Sequence, residues 1–237
     1  RMTPDEYCQQ KAASSGSSFY YSFLFLPPER RRAITALYAF CREVDDVVDE
    51  VTEPEVARAK LAWWRNEIGA AYAAAPRHPV SRALQPVVAA FRLPQSHFQS
   101  VIDGMTMDLE QDRYLDFPGL ELYCHRVAGV VGLMSAEIFG YRDARTRDYA
   151  HDLGIAFQLT IACRQLSTHP GLTAEGHAAL GILAREVEDI VAAVDRSGHG
   201  LDSPAAFCSE EGVMRIELAE RTGEVLSLVI TGTREGE

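Results

Sequence analysis

Apolar residues recur at helical spacing along the first two thirds of the chain, and Pro, Gly and polar clusters separate the segments. Thr3-Pro4-Asp5-Glu6 has the pattern of a capping box with Pro in the first turn. Phe19–Leu26 is too short to assign by period, and a loop is predicted near Tyr114–Pro118. The predicted helices run over about 3–14, 28–51, 54–74, 80–91, 95–110, 121–139 and 146–166. With no convincing strand pair, and further helices predicted at about 173–196 and 209–221, the pattern predicts an all-α fold.

The central helix, over about 28–51, carries a polar stripe within an otherwise apolar surface. Tyr38, Arg42, Asp45 and Asp49 fall within about 60° of one another, since each helical residue turns about 100°. Two carboxylates one turn apart repel unless a cation lies between them, and Mg²⁺ bound by one or two carboxylates usually completes its shell with phosphate oxygens. A solvated helix face is the alternative. The combination of Tyr, Arg and two Asp beside aliphatic residues favours a functional site.

Composition and charge limit the function classes. The chain has 237 residues, enough for one well-buried domain, and a net charge of −11, which argues against a nucleic-acid partner. Five widely spaced cysteines without a CxxC pair are typical of buried thiols in a reducing compartment. No apolar run reaches the roughly 20 residues that span a bilayer and no signal peptide is visible, so a cytoplasmic location is expected.

Six ordered motifs resemble the squalene/phytoene synthase family over about residues 5–160, and within it the bacterial hopanoid-type branch, with phytoene synthases next. They are Ser15–Phe23 through Pro27, Tyr38–Arg42, Asp45–Asp49, Asp103–Leu109, Tyr123–Gly132 and Gly154–Thr160. The resemblance implies an isoprenoid-synthase-type helical bundle around a central cavity. It also implies Mg²⁺-dependent, head-to-head condensation of two prenyl diphosphates. The expected products are presqualene diphosphate or squalene from farnesyl diphosphate. Hydrophobic substrates and products imply loose, peripheral contact with the inner membrane face.

The resemblance also implies roles for single residues. Asp45 and Asp49 would bind Mg²⁺ against a diphosphate, which Tyr38 and Arg42 would contact. A loop with three serines would bind the same group: Ser15, Ser17 and Ser18. Phe19 would line the prenyl cavity, and Tyr123 would lie near the reacting carbon. Gln158 and Arg164 match polar family positions on the opposite helix.

Some of these residues have simpler explanations. A tyrosine such as Tyr123 is more often a core residue with a satisfied hydroxyl. A second acidic region begins at Asp103, and a solvated helix end explains it well; a cavity-rim role for Asp108 rests on the resemblance. Gly129 and Gly132 allow helices to approach closely. The histidines show no metal-ligand spacing.

The sequence departs from the family after Thr160. The family's second aspartate motif is replaced here, with Ile161 for its Asn, Arg164 retained, and Gln165 and His169 for its two Asp. We therefore expect a single domain over residues 1–237, family-like to 165 and divergent over 166–237. An altered reading frame or a degenerate paralogue would explain this tail. Two alternatives to the farnesyl-condensing enzyme stay open: a phytoene synthase that uses geranylgeranyl diphosphate, and an inactive family member that binds prenyl ligands.

Overall fold

A computed structural model describes residues 2–110, 117–167, 181, 185, 213–219 and 227–233, with side chains over 2–17, 20–110, 117–163 and at 181 and 185. The helices are α1 Pro4–Ser14, α2 Ser18–Phe23, α3 Pro28–Glu50, α4 Pro54–Tyr72, α5 Pro79–Ala90, α6 Gln95–Glu110, α7 Phe117–Cys124, α8 Val130–Phe139 and α9 Arg145–Ser167. A π-helical turn over His125–Gly129, here called the π turn, joins α7 to α8. None of the described helices is long and apolar enough to cross a membrane.

Local sequence signals place most helix ends where they were predicted. At the start of α1, the Thr3 N–H donates to Glu6 at 2.7 Å and the Glu6 N–H donates to the Thr3 hydroxyl at 3.2 Å, which completes the capping box. Prolines begin α3 and α4, and Gly140, with φ of 75°, ends α8. The unassigned segment Phe19–Leu26 forms the short helix α2 and a turn.

Helix α3 lies at the centre of the hydrophobic core. Its predicted apolar face is confirmed, because Ile34, Leu37, Phe40, Val44 and Val47 are all buried. The Phe40 ring packs edge-on against Trp64 of α4 at 5.9 Å and against Phe98 of α6 at 5.2 Å between ring centroids. This packing fixes α3 against α4 and α6 and determines which helices its polar stripe can face.

Close helix approach at glycines is confirmed around the π turn and α8. A Cβ at Gly129 would lie 2.9 Å from the His151 ring, and one at Gly132 would overlap the carbonyl oxygen of Ala150. Gly154 approaches Ala128 in the same way. The backbones of α8 and the π turn therefore contact α9 without intervening side chains.

The predicted helix at about 209–221 is wrong, and so is the expectation of no strand pair. Val213–Ala219 and Ser227–Thr233 form an antiparallel two-stranded sheet, with Val213 opposite Thr233 and Ala219 opposite Ser227. Alternating Met, Ile and Leu between Arg and Glu in the first segment, and β-branched residues in the second, favour strands over a helix.

Two further predictions concern helix bounds. The loop predicted near Tyr114–Pro118 is wrong at its end, because α7 already begins at Phe117. The helix predicted at about 173–196 falls mainly outside the described residues. Within this range only Gly181 and Arg185 are described, and both are helical.

Replacing Gly132 by Ala should destabilise the protein. A Cβ there meets backbone, which cannot move aside cheaply, so we expect the free energy of unfolding to fall by about 1–3 kcal/mol. The matched control is Gly69→Ala in α4, where the nearest atom outside the helix is 3.8 Å away and helix propensity should give a gain of up to about 1 kcal/mol. Urea denaturation of both variants measures the difference; equal stability of the two would contradict the packing described here.

Candidate active site

The polar stripe of α3 contains one cation and two carboxylates. The Arg42 guanidinium donates to Asp45 at 2.5 Å and to Asp46 at 2.8 Å. Asp45 is half-buried and Asp49, one turn further on, is exposed. Among the described residues Asp49 has no hydrogen bond or ion pair, so Arg42 alone offsets the negative charge of this stripe.

The opposite polar edge of α3 is neutralised by α1. Lys11 contacts Asp46 at 2.5 Å and Glu43 at 3.3 Å, and the Tyr7 hydroxyl donates to Glu43 at 2.8 Å. A cleft of about 300 Å³ opens on this side, between these residues and the tryptophans of α4. Asp46 and Glu43 are therefore structural partners of α1, whereas Asp45 and Asp49 remain available on the other side.

Asp108 of α6 faces the stripe and is bound by Tyr123. The Tyr123 hydroxyl donates to the Asp108 carboxylate at 2.8 Å. Burial raises the pKa of Asp108, the Tyr123 hydrogen bond opposes this rise, and the charge on Asp49 adds to it. Asp108 is half-buried, so it is not a fully solvated helix end; its place at a cavity rim stays a prediction.

Asp45 is in the same electrostatic environment. Burial raises its pKa, Arg42 opposes the rise, and the charges on Asp49, Asp46 and Asp108 add to it. Carboxylates from α3 and α6 therefore repel one another across a partly desolvated gap.

This donor set fits Mg²⁺. Carboxylate oxygens are its preferred protein ligands, and an excess of negative charge favours a divalent cation. No group of three His, Cys, Asp or Glu residues in the described part of the chain could hold a metal ion by itself. The arrangement therefore fits a metal bound by Asp45 and Asp49 whose other ligands come from substrate phosphate or water.

The predicted serine loop lies beside the stripe and is attached to it. The Tyr38 hydroxyl donates to the Ser15 hydroxyl at 3.0 Å, and the Ser17 N–H donates to the same oxygen at 3.2 Å. Gly16 between them has φ of +67°, a conformation that glycine adopts without strain. The Phe23 ring packs edge-on against Tyr38 at 5.7 Å, so an apolar wall continues from this loop.

For the other predicted site residues the structure gives only burial or backbone conformation. Gln158 is half-buried on α9. The backbones of Ser18, Phe19 and Arg164 are helical, and their side chains lie outside the described residues. Their proximity to the carboxylates is therefore still a prediction, as is the central cavity.

Sequence reasoning missed two contacts at this site. The Tyr123–Asp108 hydrogen bond joins residues of different helices, so no spacing rule could indicate it. His125 and His151 also lie together, with His125 Nδ1 2.8 Å from His151 Nε2, although no sequence pattern pairs them. The only available signal was that both pairs fall within or beside the motifs that resemble the family.

The squalene/phytoene synthase family matches residues 12–192 of this chain, and the protein belongs to that family. The match extends past residue 160, so part of the segment expected to be divergent is still recognisably related. A crystal structure of a dehydrosqualene synthase in complex with ligand has a TM-score of 0.72 over 86% of this chain and 79% of that protein, with 24% identity. The all-α, isoprenoid-synthase-type fold of the helical part is therefore confirmed.

Curated relatives fall into two enzyme groups. A presqualene diphosphate synthase of Rhodopseudomonas palustris is 40% identical over 171 residues, which cover 72% of this chain and 61% of that protein. A 15-cis-phytoene synthase of Synechocystis sp. is 34% identical over 173 residues, covering 68% and 51%. The chain thus spans between half and two thirds of the length of these relatives.

Asp108→Asn should stabilise the protein at neutral pH. Folding raises the pKa of Asp108, so ionisation of its carboxyl group destabilises the folded state. The protein keeps its full stability below the ordinary Asp range and loses part of it as pH rises through the folded pKa. Asparagine can still accept the Tyr123 hydrogen bond without the charge. We expect a melting temperature a few degrees above wild type at pH 7 and a difference that vanishes below about pH 4.

The matched control is Asp103→Asn on the same helix, because Asp103 is ion-paired with Arg65 at 2.5 Å. This variant should lose about 0–1 kcal/mol at pH 7 instead of gaining stability. Scanning calorimetry from pH 3.5 to 8 measures both. A loss of stability at pH 7 for Asp108→Asn would show that its carboxylate is not repelled.

Proposed function

We propose that this protein condenses two farnesyl diphosphates head to head to presqualene diphosphate. The observation that carries the proposal is the meeting of Asp45 and Asp49 on α3 with Asp108 on α6, whose carboxylate Tyr123 binds. Its relation to a presqualene diphosphate synthase at 40% identity supports the farnesyl substrate. Arrangement and relationship together support this reaction over a purely structural role for the stripe.

The diphosphate would bind along the stripe, between its two aspartates and the serine loop beside Tyr38. Asp45 and Asp49 would hold Mg²⁺, which neutralises the departing diphosphate when bound. Arg42 adds a cation that is already 34% exposed at its side chain and can exchange carboxylate for phosphate oxygens. Tyr38 positions the Ser15 hydroxyl, and the loop's polar groups can then contact the same anion.

Tyr123 would act beside the reacting carbon. Its ring packs on a small apolar cluster from α7 and α9 that includes Cys124, Ile155 and Leu159. An aromatic face stabilises a nearby carbocation, and apolar surroundings exclude the water that would quench it. The bond to Asp108 fixes the Tyr123 hydroxyl, so the ring is held in one orientation.

Two alternatives have specific support. Relationship to a phytoene synthase favours a longer geranylgeranyl substrate as the second candidate. The replacement of the second aspartate motif by Gln165 and His169 favours a prenyl-binding protein without activity. The same assay separates these alternatives from the first proposal.

Asp45→Asn should abolish diphosphate release. We expect wild type, incubated with farnesyl diphosphate and Mg²⁺, to release diphosphate and form presqualene diphosphate, and Asp45→Asn to lose at least about 100-fold in rate because one of two metal ligands is gone. Glu50→Gln, on the same helix but lining the opposite cleft, is the control and should retain wild-type rates. Diphosphate release and extracted products are measured together.

Each outcome selects one proposal. Product formed faster from geranylgeranyl diphosphate would replace the farnesyl proposal by phytoene synthesis. Wild type that binds a prenyl thiodiphosphate but releases nothing would support the inactive alternative. Equal rates for Asp45→Asn and wild type would rule out this metal site.

We also propose that α2 and the turn after it bind a membrane surface. Tyr21, Leu24 and Phe25 are 64%, 43% and 62% exposed. The Arg31 guanidinium donates to the Leu26 carbonyl oxygen at 3.2 and 2.9 Å, which fixes the turn that carries them. Arg32 is exposed on the next turn. Exposed aromatic and aliphatic side chains with an exposed arginine close in the sequence match the interface of an anionic bilayer.

The double variant Leu24→Ser/Phe25→Ser should lose most of its binding to vesicles of phosphatidylcholine with phosphatidylglycerol. The apolar area that inserts is removed, so we expect at least a fivefold weaker partition, roughly 1 kcal/mol. Val56→Ser, with a residue 46% exposed on α4, is the control. Co-sedimentation measures the bound fraction. Unchanged binding of the double variant would place membrane contact elsewhere or nowhere.

A further inference from the structure

A chain of three polar side chains joins the π turn to α9. His125 Nδ1 lies 2.8 Å from His151 Nε2, and His151 Nδ1 lies 2.9 Å from the Asp152 carboxylate. The two imidazole ring centroids are 5.1 Å apart. Both histidine side chains are partly buried, so the contact is shielded from water on part of its surface.

The pair lies against the backbone of the π turn. A Cβ at Gly129 would be 2.9 Å from the His151 ring and 3.5 Å from His125 Nδ1, so only glycine leaves room for the two rings. On the other side of the turn, a Cβ at Gly104 of α6 would lie 2.5 Å from Val127. The π turn is therefore held between α6 and α9, with the histidine hydrogen bond on the α9 side.

Tyr123 lies at the end of α7, shortly before this turn in the chain. It lies two residues before His125, and its hydroxyl reaches back to Asp108 on α6. A π turn adds one residue to a helical turn and so changes the direction of the side chains before it. A shift of the turn relative to α9 would therefore move the Tyr123 ring relative to Asp108.

We propose that His125 and His151 are positioning residues for Tyr123: their hydrogen bond holds the π turn against α9 and so keeps the Tyr123 hydroxyl on Asp108. This inference rests on the proposed function, because it assigns the pair a role in the same reaction. Neither histidine contacts the carboxylates of the α3 stripe in the described structure.

The hydrogen bond depends on the protonation state of both rings. Asp152 accepts from His151 Nδ1, which leaves His151 Nε2 to accept from His125 Nδ1 when both rings are neutral. One added proton can be accommodated, because His151 Nε2 then donates and His125 Nδ1 accepts. With both rings protonated, both facing nitrogens carry hydrogen and the bond is lost.

Neighbouring charges favour the neutral state of His125. Burial lowers its pKa, and His151 and Arg126 lower it further. His97 of α6 also interacts with His125: burial, Arg147 and His125 lower the pKa of His97, and Glu137 raises it. Among the described residues, Asp152 is the one carboxylate that is hydrogen-bonded to the pair, on the His151 side. The bond therefore persists at neutral pH and fails on acidification.

The test uses variants that keep or remove the bonded atom. Asparagine places a polar atom near the position of His125 Nδ1, and glutamine does so near His151 Nε2, so His125→Asn and His151→Gln should retain activity. His125→Leu and His151→Leu should lower kcat about tenfold or more with KM within twofold, since a misplaced catalytic group costs rate and not binding. The wild-type rate should fall at pH values below the ordinary histidine range, where the second ring takes up its proton, and His125→Asn should lose that acidic limb.

A second measurement does not require activity. In protein with tyrosine rings labelled by ¹³C, the Tyr123 signal, assigned with Tyr123→Phe, should shift as pH falls through the histidine range in wild type and stay constant in His125→Asn. Leucine variants that lose thermal stability but keep wild-type kcat, or a Tyr123 signal that ignores pH in wild type, would overturn the inference. Wild type without diphosphate release would overturn the proposed function instead, while the Tyr123 signal would still decide the positioning.

Discussion

Repulsion between carboxylates on two packed helices is the constraint on which the site depends. The apolar side of α3 packs on α4 and α6 through Phe40, which touches Trp64 and Phe98. With this side of α3 packed, the polar stripe that carries Asp45 and Asp49 faces the C-terminal end of α6, where Asp108 lies. Asp45 and Asp108 are thereby held half-buried near the exposed Asp49. Apolar packing stabilises this arrangement, and the repulsion among the three carboxylates destabilises it. Such an arrangement is typical of a site that binds a cation with its substrate.

The two polar edges of α3 show why charge alone does not define the site. Glu43 and Asp46 are as acidic as Asp45 and Asp49, yet Lys11 and Tyr7 of α1 bind them. On the other edge, Arg42 is the only cation in contact with the stripe among the described residues. Because α1 neutralises the carboxylates on one edge of α3, that edge has a structural role. The carboxylates on the other edge of the same helix can bind a ligand.

Sequence reasoning predicted the helices well because their signals are local. The capping residues Thr3 and Glu6, the prolines that begin α3 and α4, and the glycine after α8 each act within one or two turns. It failed at Val213–Ala219, where strand alternation was overlooked in favour of a helix. The contact of Tyr123 with Asp108 and that of His125 with His151 could not be predicted, because both depend on how helices pack and on the π turn between α7 and α8.

Family resemblance supplied what spacing could not, including the roles expected of Tyr38 and Ser15, which the structure places in hydrogen-bond contact. It also implied a cavity-rim role for Asp108, but it did not indicate the hydrogen bond that Tyr123 donates to this carboxylate. Within the described residues, Asp108 is the carboxylate that lies opposite the α3 stripe. It belongs to α6, is partly buried and accepts a hydrogen bond from Tyr123.

The most direct test of this account is ¹³C NMR titration of the aspartate carboxyl groups, with and without Mg²⁺ and inorganic diphosphate. The account predicts that Asp45 and Asp108 titrate above the ordinary aspartate range in the free protein and that both move down when the metal and anion are added together. Ordinary titration of both groups, unchanged by Mg²⁺ and diphosphate, would contradict it.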